Sequence, residues 1–289
     1  MSLEPCGKYT DNALRVGQSD PYPERLAGEF AGVVVSNDWV NKEYKHLVLK
    51  VHDRALAAYA GQFFHLLCPT PDGAEVWMRR PMSVYRVDRE AGQIEFLYKC
   101  EGRGTRGMGM LEKGEEFNIA GPLGKGFALD PKWKNIVVLG RGVGLATLAP
   151  LSQLAASKGV GITAILSARN PDVVMSKDLF EAYGAKTITV LDTDKTSDVG
   201  NVEKIIEGLI ADKKADAFFT CGSSRLLKLM QTLGKQHGVP GQVAMEQIMV
   251  CGMGACYVCM RTFEIDGVKT LKRVCRDGPV FDMQTAVGW

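Results

Sequence analysis

From position 28 to position 120, apolar and polar residues alternate in six short runs, at 30–36, 46–51, 62–68, 82–87, 93–100 and 116–120. Alternation with a period of two marks a strand with one face buried. Turn formers divide the runs, among them Pro71-Asp72-Gly73 and Ala91-Gly92. Six strands in close succession, with no long helix between them, predict a small antiparallel six-stranded barrel. Beyond Pro131 the rhythm changes. Strand-like runs at 136–139, 162–166, 187–191 and 217–221 alternate with a helical stretch ending near 157 and others at 176–183, 202–211 and 224–237. That alternation predicts βαβ units and a parallel sheet. The chain thus reads as multidomain, β plus α/β: a polar, aperiodic extension over 1–27, the barrel over 28–130, the α/β domain over 131–240, and a glycine-punctuated, cysteine-rich module over 241–289. No internal repeat is visible.

Composition narrows the class. With 289 residues, 46% of them hydrophobic, the chain can bury a sizeable core in two ordinary domains and an appendage. Its 35 basic and 33 acidic residues are interspersed, so no basic face is offered to nucleic acid or anionic lipid. No stretch reaches the roughly 18 consecutive apolar residues of a membrane helix. The first residues also lack an apolar run behind a basic start. These features predict a cytoplasmic protein without a membrane segment, whose cysteines stay reduced.

Four of the eight cysteines fall between 251 and 275. Cys251-x4-Cys256-x2-Cys259, followed by Cys275, has the spacing of plant-type two-iron ferredoxins, in which one loop supplies three thiolates and a later segment the fourth. Gly252 and Gly254 suit such a loop, because they permit unusual backbone angles and leave amides near the sulfurs. Between Cys259 and Cys275, two strand-like runs flank Asp266-Gly267, a hairpin signal that brings Cys275 back beneath the loop. Four thiolates also suit structural zinc, although zinc ribbons use two Cys-x2-Cys knuckles and only one is present. Cys6, Cys68 and Cys100 carry no partner spacing and read as ordinary small residues.

Three other segments bear on chemistry. Arg79-Arg80-Pro81-Met82-Ser83 puts a guanidinium that can fork onto a pyrophosphate three positions from a hydroxyl, although strand-initial basic residues are usually just solvated. Gly102 to Gly107 is a flexible glycine-rich turn suited to phosphate oxygens, and Gly121 to Phe127 closes the barrel as a contact loop or a plain connection. Gly140-Arg141-Gly142-Val143-Gly144 lies between a predicted strand and helix, where glycines let a dinucleotide pyrophosphate approach, though such turns also occur without ligands. Cys221-Gly222-Ser223 ends a later strand at the same sheet edge; a buried structural cysteine is the plain alternative.

Taken in order, these motifs resemble the ferredoxin-NADP reductase superfamily, and within it the electron transfer subunits of two-subunit, NAD-linked dihydroorotate dehydrogenases, over about residues 28 to 285. The resemblance implies FAD held by Arg80, Pro81, Met82 and Ser83, by the strand tripeptide Leu97, Tyr98 and Lys99, and by Gly104-Thr105. It implies NAD(H) on a Rossmann-like sheet at Gly140, Gly142, Gly144 and Cys221. It implies a [2Fe-2S] cluster on Cys251, Cys256, Cys259 and Cys275, followed by the matching Arg276 to Phe281. Glu246 falls at a position that is acidic in the family. Two residues depart from the family turn Gly-Gly-Gly-x-Gly-x-Ala-Pro: Arg141 replaces a glycine and Thr147 the proline, and the extension over 1–27 is a third difference. A guanidinium at 141 can clasp a pyrophosphate or obstruct it.

The implied partner is an FMN-containing catalytic subunit in a heterotetramer of two plus two. That subunit oxidises dihydroorotate, electrons pass singly through the two-iron cluster to FAD, and FAD reduces NAD+ by hydride transfer. No residue is expected to act as a catalytic acid or base. A reductase subunit of sulfite reductase or hydrogenase type uses the same modules, and a zinc-stabilised binding protein is the alternative outside enzymology. Ser167 and Arg169, where a 2'-phosphate can be read, leave NAD and NADP undistinguished.

Overall fold

The structure is a computed structural model that describes residues 13–20, 24, 27–69 and 78–287; the Pro71-Asp72-Gly73 turn and Cys6 lie outside them. The first unit is an antiparallel sheet of β1 (Gly28–Trp39), β2 (Tyr44–Lys50), β3 (Phe63–Leu66), β4 (Arg80–Ser83), β5 (Arg86–Asp88), β6 (Gln93–Lys99) and β7 (Glu116–Leu123), with helix α1 (Arg103–Met108) before β7. It has seven strands, ordered β4-β3-β7-β1-β2-β6-β5, where the hydrophobic pattern predicts six. The extra strand arises because the run over 82–87 divides. Val84 donates its N–H to the Gln62 carbonyl and Tyr85 to that of Glu95, so two adjacent residues bond to opposite ends of the sheet. The chain therefore steps from one edge to the other, and the sheet curls into a half-barrel.

Period-two alternation decides which side chains fill this barrel. Leu47 and Leu49 of β2, and Ile94, Phe96 and Tyr98 of β6, join Phe30, Phe64, Leu66 and Ile119 in its core. Phe64 and Phe96 meet edge-on with ring centroids 5.9 Å apart; truncating such a ring to alanine typically costs about 3–5 kcal/mol. The alternate residues of β6, Leu97 and Lys99, face the other way. Residues 13–20 pack on the barrel. Leu14 pairs with Phe30, Arg15 with Glu116 at 2.9 Å, and Asp20 with Arg54.

The second unit alternates as expected: β8 (Asn135–Arg141), α2 (Gly144–Leu148), α3 (Pro150–Ser157), β9 (Gly161–Ala168), α4 (Lys177–Ala182), β10 (Lys186–Leu191), α5 (Val199–Ala211), β11 (Ala217–Cys221), α6 (Ser224–His237) and β12 (Gly241–Ala244). Ile136, Val137, Val138 and Leu139 are all buried, as befits a parallel strand covered on both faces. Helix α6 buries Leu226, Leu229, Met230 and Leu233, an apolar stripe at helical spacing. The sheet order is β10-β9-β8-β11-β12, with a C-terminal strand over Val280–Asp282 added beyond β12. The chain runs outward from β8 to β9 and β10, then returns to place β11 on the other side of β8. That switch point opens a crevice at the C-terminal ends of β8 and β11, where Gly140 and Cys221 are register partners.

The C-terminal segment forms a hairpin, β13 (Met260–Ile265) and β14 (Val268–Arg273), then α7 (Val274–Asp277) and β15 (Val280–Asp282). Asp266 (φ 52°) and Gly267 (φ 76°) make its turn, the positive angles that a two-residue hairpin loop requires. Strand β15 returns antiparallel to β12 as the sixth strand of the α/β sheet. Its approach is stitched to the barrel as well: the Lys125 amide donates to the Gly278 carbonyl at 2.6 Å. Residues 121–127 thus serve as the contact between the barrel and the Gly278-Pro279-Val280-Phe281 stretch. Among the described residues no helix is long and apolar enough to cross a membrane.

Candidate functional site

A cleft of about 400 Å³ lies where the barrel, the α/β crevice and the C-terminal segment meet, a volume within the usual range for small-molecule sites. One wall is Arg80, Pro81, Met82 and Ser83 of β4 with Leu97 and Lys99 of β6. Because β6 alternates, the Tyr98 ring turns into the barrel core instead, where its hydroxyl donates to Asn37 Oδ1 at 2.9 Å. Lys99 pairs with Glu101 at 2.7 Å. Thr105 completes this wall, with Gly104 packed behind it against the Arg80 side chain. The segment expected to be a flexible turn, Gly102 to Gly107, is instead largely helix α1. Thr105 closes its first turn, its hydroxyl accepting from the amides of Glu101 and Gly102 at 3.1 and 3.0 Å.

Val143, Ala146 and Thr147 line the opposite wall, with Met245, Glu246 and Met249 below. The glycine turn behind them is packed tightly. A Cβ on Gly144 would stand 2.6 Å from the Cys221 carbonyl oxygen, so only glycine lets α2 approach the end of β11 this closely. Burial, reinforced by Glu246, pushes the Cys221 thiol well above its ordinary pKa. Glu246 stands in the cleft, and the protein mass around its carboxyl raises its pKa by desolvation. The Thr147 hydroxyl donates to Ser83 Oγ at 2.9 Å, joining the two walls.

Arg141 does not reach into this cleft. Its guanidinium forks onto Asp192 at 3.0 and 2.6 Å and donates to Ser167 Oγ at 3.0 Å. It therefore lies across the ends of β8, β9 and β10. Ser167 is fully buried, and Arg169 pairs with Glu43 of the barrel.

The four cysteines gather in two pairs. Cys259 and Cys275 are buried free thiols with sulfurs 3.2 Å apart. Cys251 lies beside Cys256, whose amide donates to its sulfur at 3.4 Å; the Ala255 amide does so at 3.3 Å. Burial works against ionisation of Cys251, but these donors and the Met253 amide outweigh it and bring its pKa down to about 6. Cys275 is pushed up to about 12 by burial and then by Cys259, a preference that coordination reverses, since a ligating thiol is deprotonated outright. Among the described residues no three metal-binding side chains converge as they would around one ion. Two thiols per pair match the two thiolates that each iron of a two-iron cluster takes. A further sign is His65 of β3: it is buried against Gly252, with its Nε2 lacking a hydrogen-bond partner among the described residues.

The sequence pattern does not mark Thr147, His65, Met245 and Met249 as site residues. Thr147 is visible there only as a departure from the family turn. The other three carry no local signature, because their roles arise from contacts between distant segments.

Comparison with known proteins agrees with this arrangement. A profile of the iron-sulfur cluster binding domain of dihydroorotate dehydrogenase B matches residues 246–286. The electron transfer subunit of dihydroorotate dehydrogenase B (NAD(+)) from Streptococcus mutans is 32% identical over 86% of this chain and 94% of its own length. The subunit of the same name from Bacillus cereus strain B4264 is 31% identical over 88% and 97%. Among solved structures, a chain of the NADH-dependent reduced ferredoxin-NADP oxidoreductase superposes with a TM-score of 0.74 at 23% identity, over 93% of this chain and 91% of that one. Ferredoxin-NADP+ reductase from Plasmodium falciparum gives 0.57 at 11% identity, over 78% and 94%; both likenesses concern the fold. The identity to whole subunits, spread over nearly their full length, makes this chain a member of the family of dihydroorotate dehydrogenase B (NAD(+)) electron transfer subunits.

Proposed function

We propose that this chain carries electrons between an FMN-containing dihydroorotate dehydrogenase subunit and NAD, through a [2Fe-2S] cluster on Cys251, Cys256, Cys259 and Cys275 and an FAD in the cleft. The observation that carries the reading is adjacency. Gly252 of the cysteine loop touches His65, His65 lies 5.7 Å from the Phe63 ring, and Phe63 lines the cleft. The two sites are thus separated by the side chains of a single strand, a short path for an electron.

In this reading Arg80 holds the flavin phosphates, Ser83 meets the isoalloxazine edge, Leu97 to Lys99 form the strand along it, and Gly104-Thr105 cap the phosphate end. The turn of Gly140, Gly142 and Gly144, with Cys221, serves the nicotinamide side. FAD, when bound, supplies the conversion between one-electron and two-electron chemistry. The chain's own part is to position it and to exclude water from the cleft. The domains follow as a barrel for FAD over 28–130, an α/β domain for NAD over 131–240 and a cluster module over 241–289, with 1–27 as an added extension.

A partner surface surrounds the cysteine loop. Ile248, Met253, Tyr257 and Val258 are 70%, 63%, 58% and 48% exposed, large apolar side chains left open to solvent on and beside the loop, as at a protein interface. We assign it to the catalytic subunit, in an assembly of two plus two, working in the cytoplasm where free thiols persist. The test is anaerobic purification followed by iron, sulfide and flavin analysis, with an NADH-driven acceptor assay. About two irons, two sulfides and one flavin per chain are expected. A colourless protein containing zinc, or one that NADH does not reduce, overturns the reading.

A further inference from the structure

Thr147 is 6% exposed and lies on α2, three residues beyond the close contact of Gly144. Its hydroxyl donates to Ser83 Oγ at 2.9 Å, so a helix of the α/β unit is bonded to a barrel strand across the cleft. A hydroxyl carries one proton and two acceptor sites. Ser83, now an acceptor toward Thr147, has its own proton left for the cleft. Among the described residues no other side chain hydrogen-bonds to Ser83. The pair is therefore polarised in one direction, from Thr147 to Ser83 and out into the cleft.

We propose that Thr147 is a positioning residue that orients the Ser83 hydroxyl as a donor toward the flavin edge. The inference rests on the assignment of the cleft to FAD. A branched apolar residue of the same shape would fill the space without setting the proton.

The experiment compares the full-length holoprotein with Thr147→Val and Thr147→Ser. Expected for Thr147→Val are unchanged iron, sulfide and FAD content, a shifted visible absorption spectrum of the bound flavin, and reduction by saturating NADH slowed roughly three- to ten-fold, the scale of one neutral hydrogen bond. Thr147→Ser should restore both spectrum and rate. A Thr147→Val protein with native spectrum and rate overturns the proposal. So does a change confined to the KM for NADH, or a defect that serine fails to rescue, since either marks a packing role. If Thr147→Val does not fold, Thr147→Ala is judged by the same criteria. A wild-type protein without flavin refutes the parent assignment itself, an outcome distinct from a flavin-bound protein indifferent to residue 147.

Discussion

The imidazole of His65 lies so close to Gly252 that a Cβ added at 252 would stand 2.7 Å from its Cε1. His65 is held from both sides. Its carbonyl accepts from Arg79 at 3.2 Å, while burial and then the Arg79 charge bring its pKa down to about 4, so the ring is neutral at physiological pH. The barrel thus forms the floor on which the cysteine loop rests.

Gly252→Ala is therefore expected to cost the protein its cluster. The backbone at 252 has φ +70°, a left-handed conformation that costs a non-glycine residue on the order of 1 kcal/mol, and the added carbon meets a buried ring that cannot retreat. The loop has to lift, separating Cys251 and Cys256 from the Cys259 and Cys275 pair. Iron and sulfide assays should show most of the cluster lost, with FAD content close to wild type. Retention of two irons would mean that the loop relaxes elsewhere.

Cys256→Ser should likewise abolish the cluster and leave flavin largely in place, since Cys256 is exposed and none of the cleft walls includes it. Cys221→Ala is the matching control, because that residue is buried against Gly144 of the glycine turn and takes no part in the hydrogen bonds that join the four cysteines. It should keep full iron and sulfide. The visible spectrum, which separates cluster from flavin bands, distinguishes the two variants in one measurement.

Much of this architecture is legible in the residue pattern because its determinants are local. Period-two runs with turn formers mark β1, β2, β3, β6 and β7, the alternation after Pro131 marks the parallel sheet, and Asp266-Gly267 marks its hairpin within a residue. What is not legible depends on distant partners. The break at Val84-Tyr85 is invisible because both residues continue the apolar run, and only their bonds to Gln62 and Glu95 divide it. Strands β12 and β15 are short and exist through distant pairing: β12 joins β11 in parallel, and β15 adds antiparallel to β12. The cysteine spacing announces a cluster, whereas the place of His65 beneath it cannot be read from a single histidine in a strand.

Gly144→Ala tests the close approach at the crevice. The new Cβ would stand 2.6 Å from the Cys221 carbonyl oxygen and 2.9 Å from Gly222 Cα. Both are backbone atoms that no side-chain rotation relieves. Overpacking of this kind typically costs about 1–3 kcal/mol. Chemical denaturation should show that loss, and the KM for NADH should rise because α2 is pushed off β11 at the site assigned to the dinucleotide.

Arg141 and Asp192 give the clearest pH dependence. The two-point bond from Arg141, then the hydrogen bond from Ser197, hold the Asp192 carboxyl down to about 2 from an ordinary 3.8. A carboxylate depressed in the folded state takes up its proton only after the unfolded chain has done so. Its contribution to stability is therefore complete above the unfolded pKa of 3.8 and declines as pH falls toward about 2. The pair is partly exposed, 22% for Arg141 and 40% for Asp192, so solvent and salt screen it and the contribution is small. In urea unfolding, wild type and Asp192→Asn should differ by a constant amount from about pH 7 to about pH 5, and the gap should narrow below about pH 4. Raising the salt concentration should shrink it at every pH. A gap that widens on acidification would mean that Asp192 is held by its neighbours in the protonated form, and the fork from Arg141 would then not be what orders the ends of β8, β9 and β10.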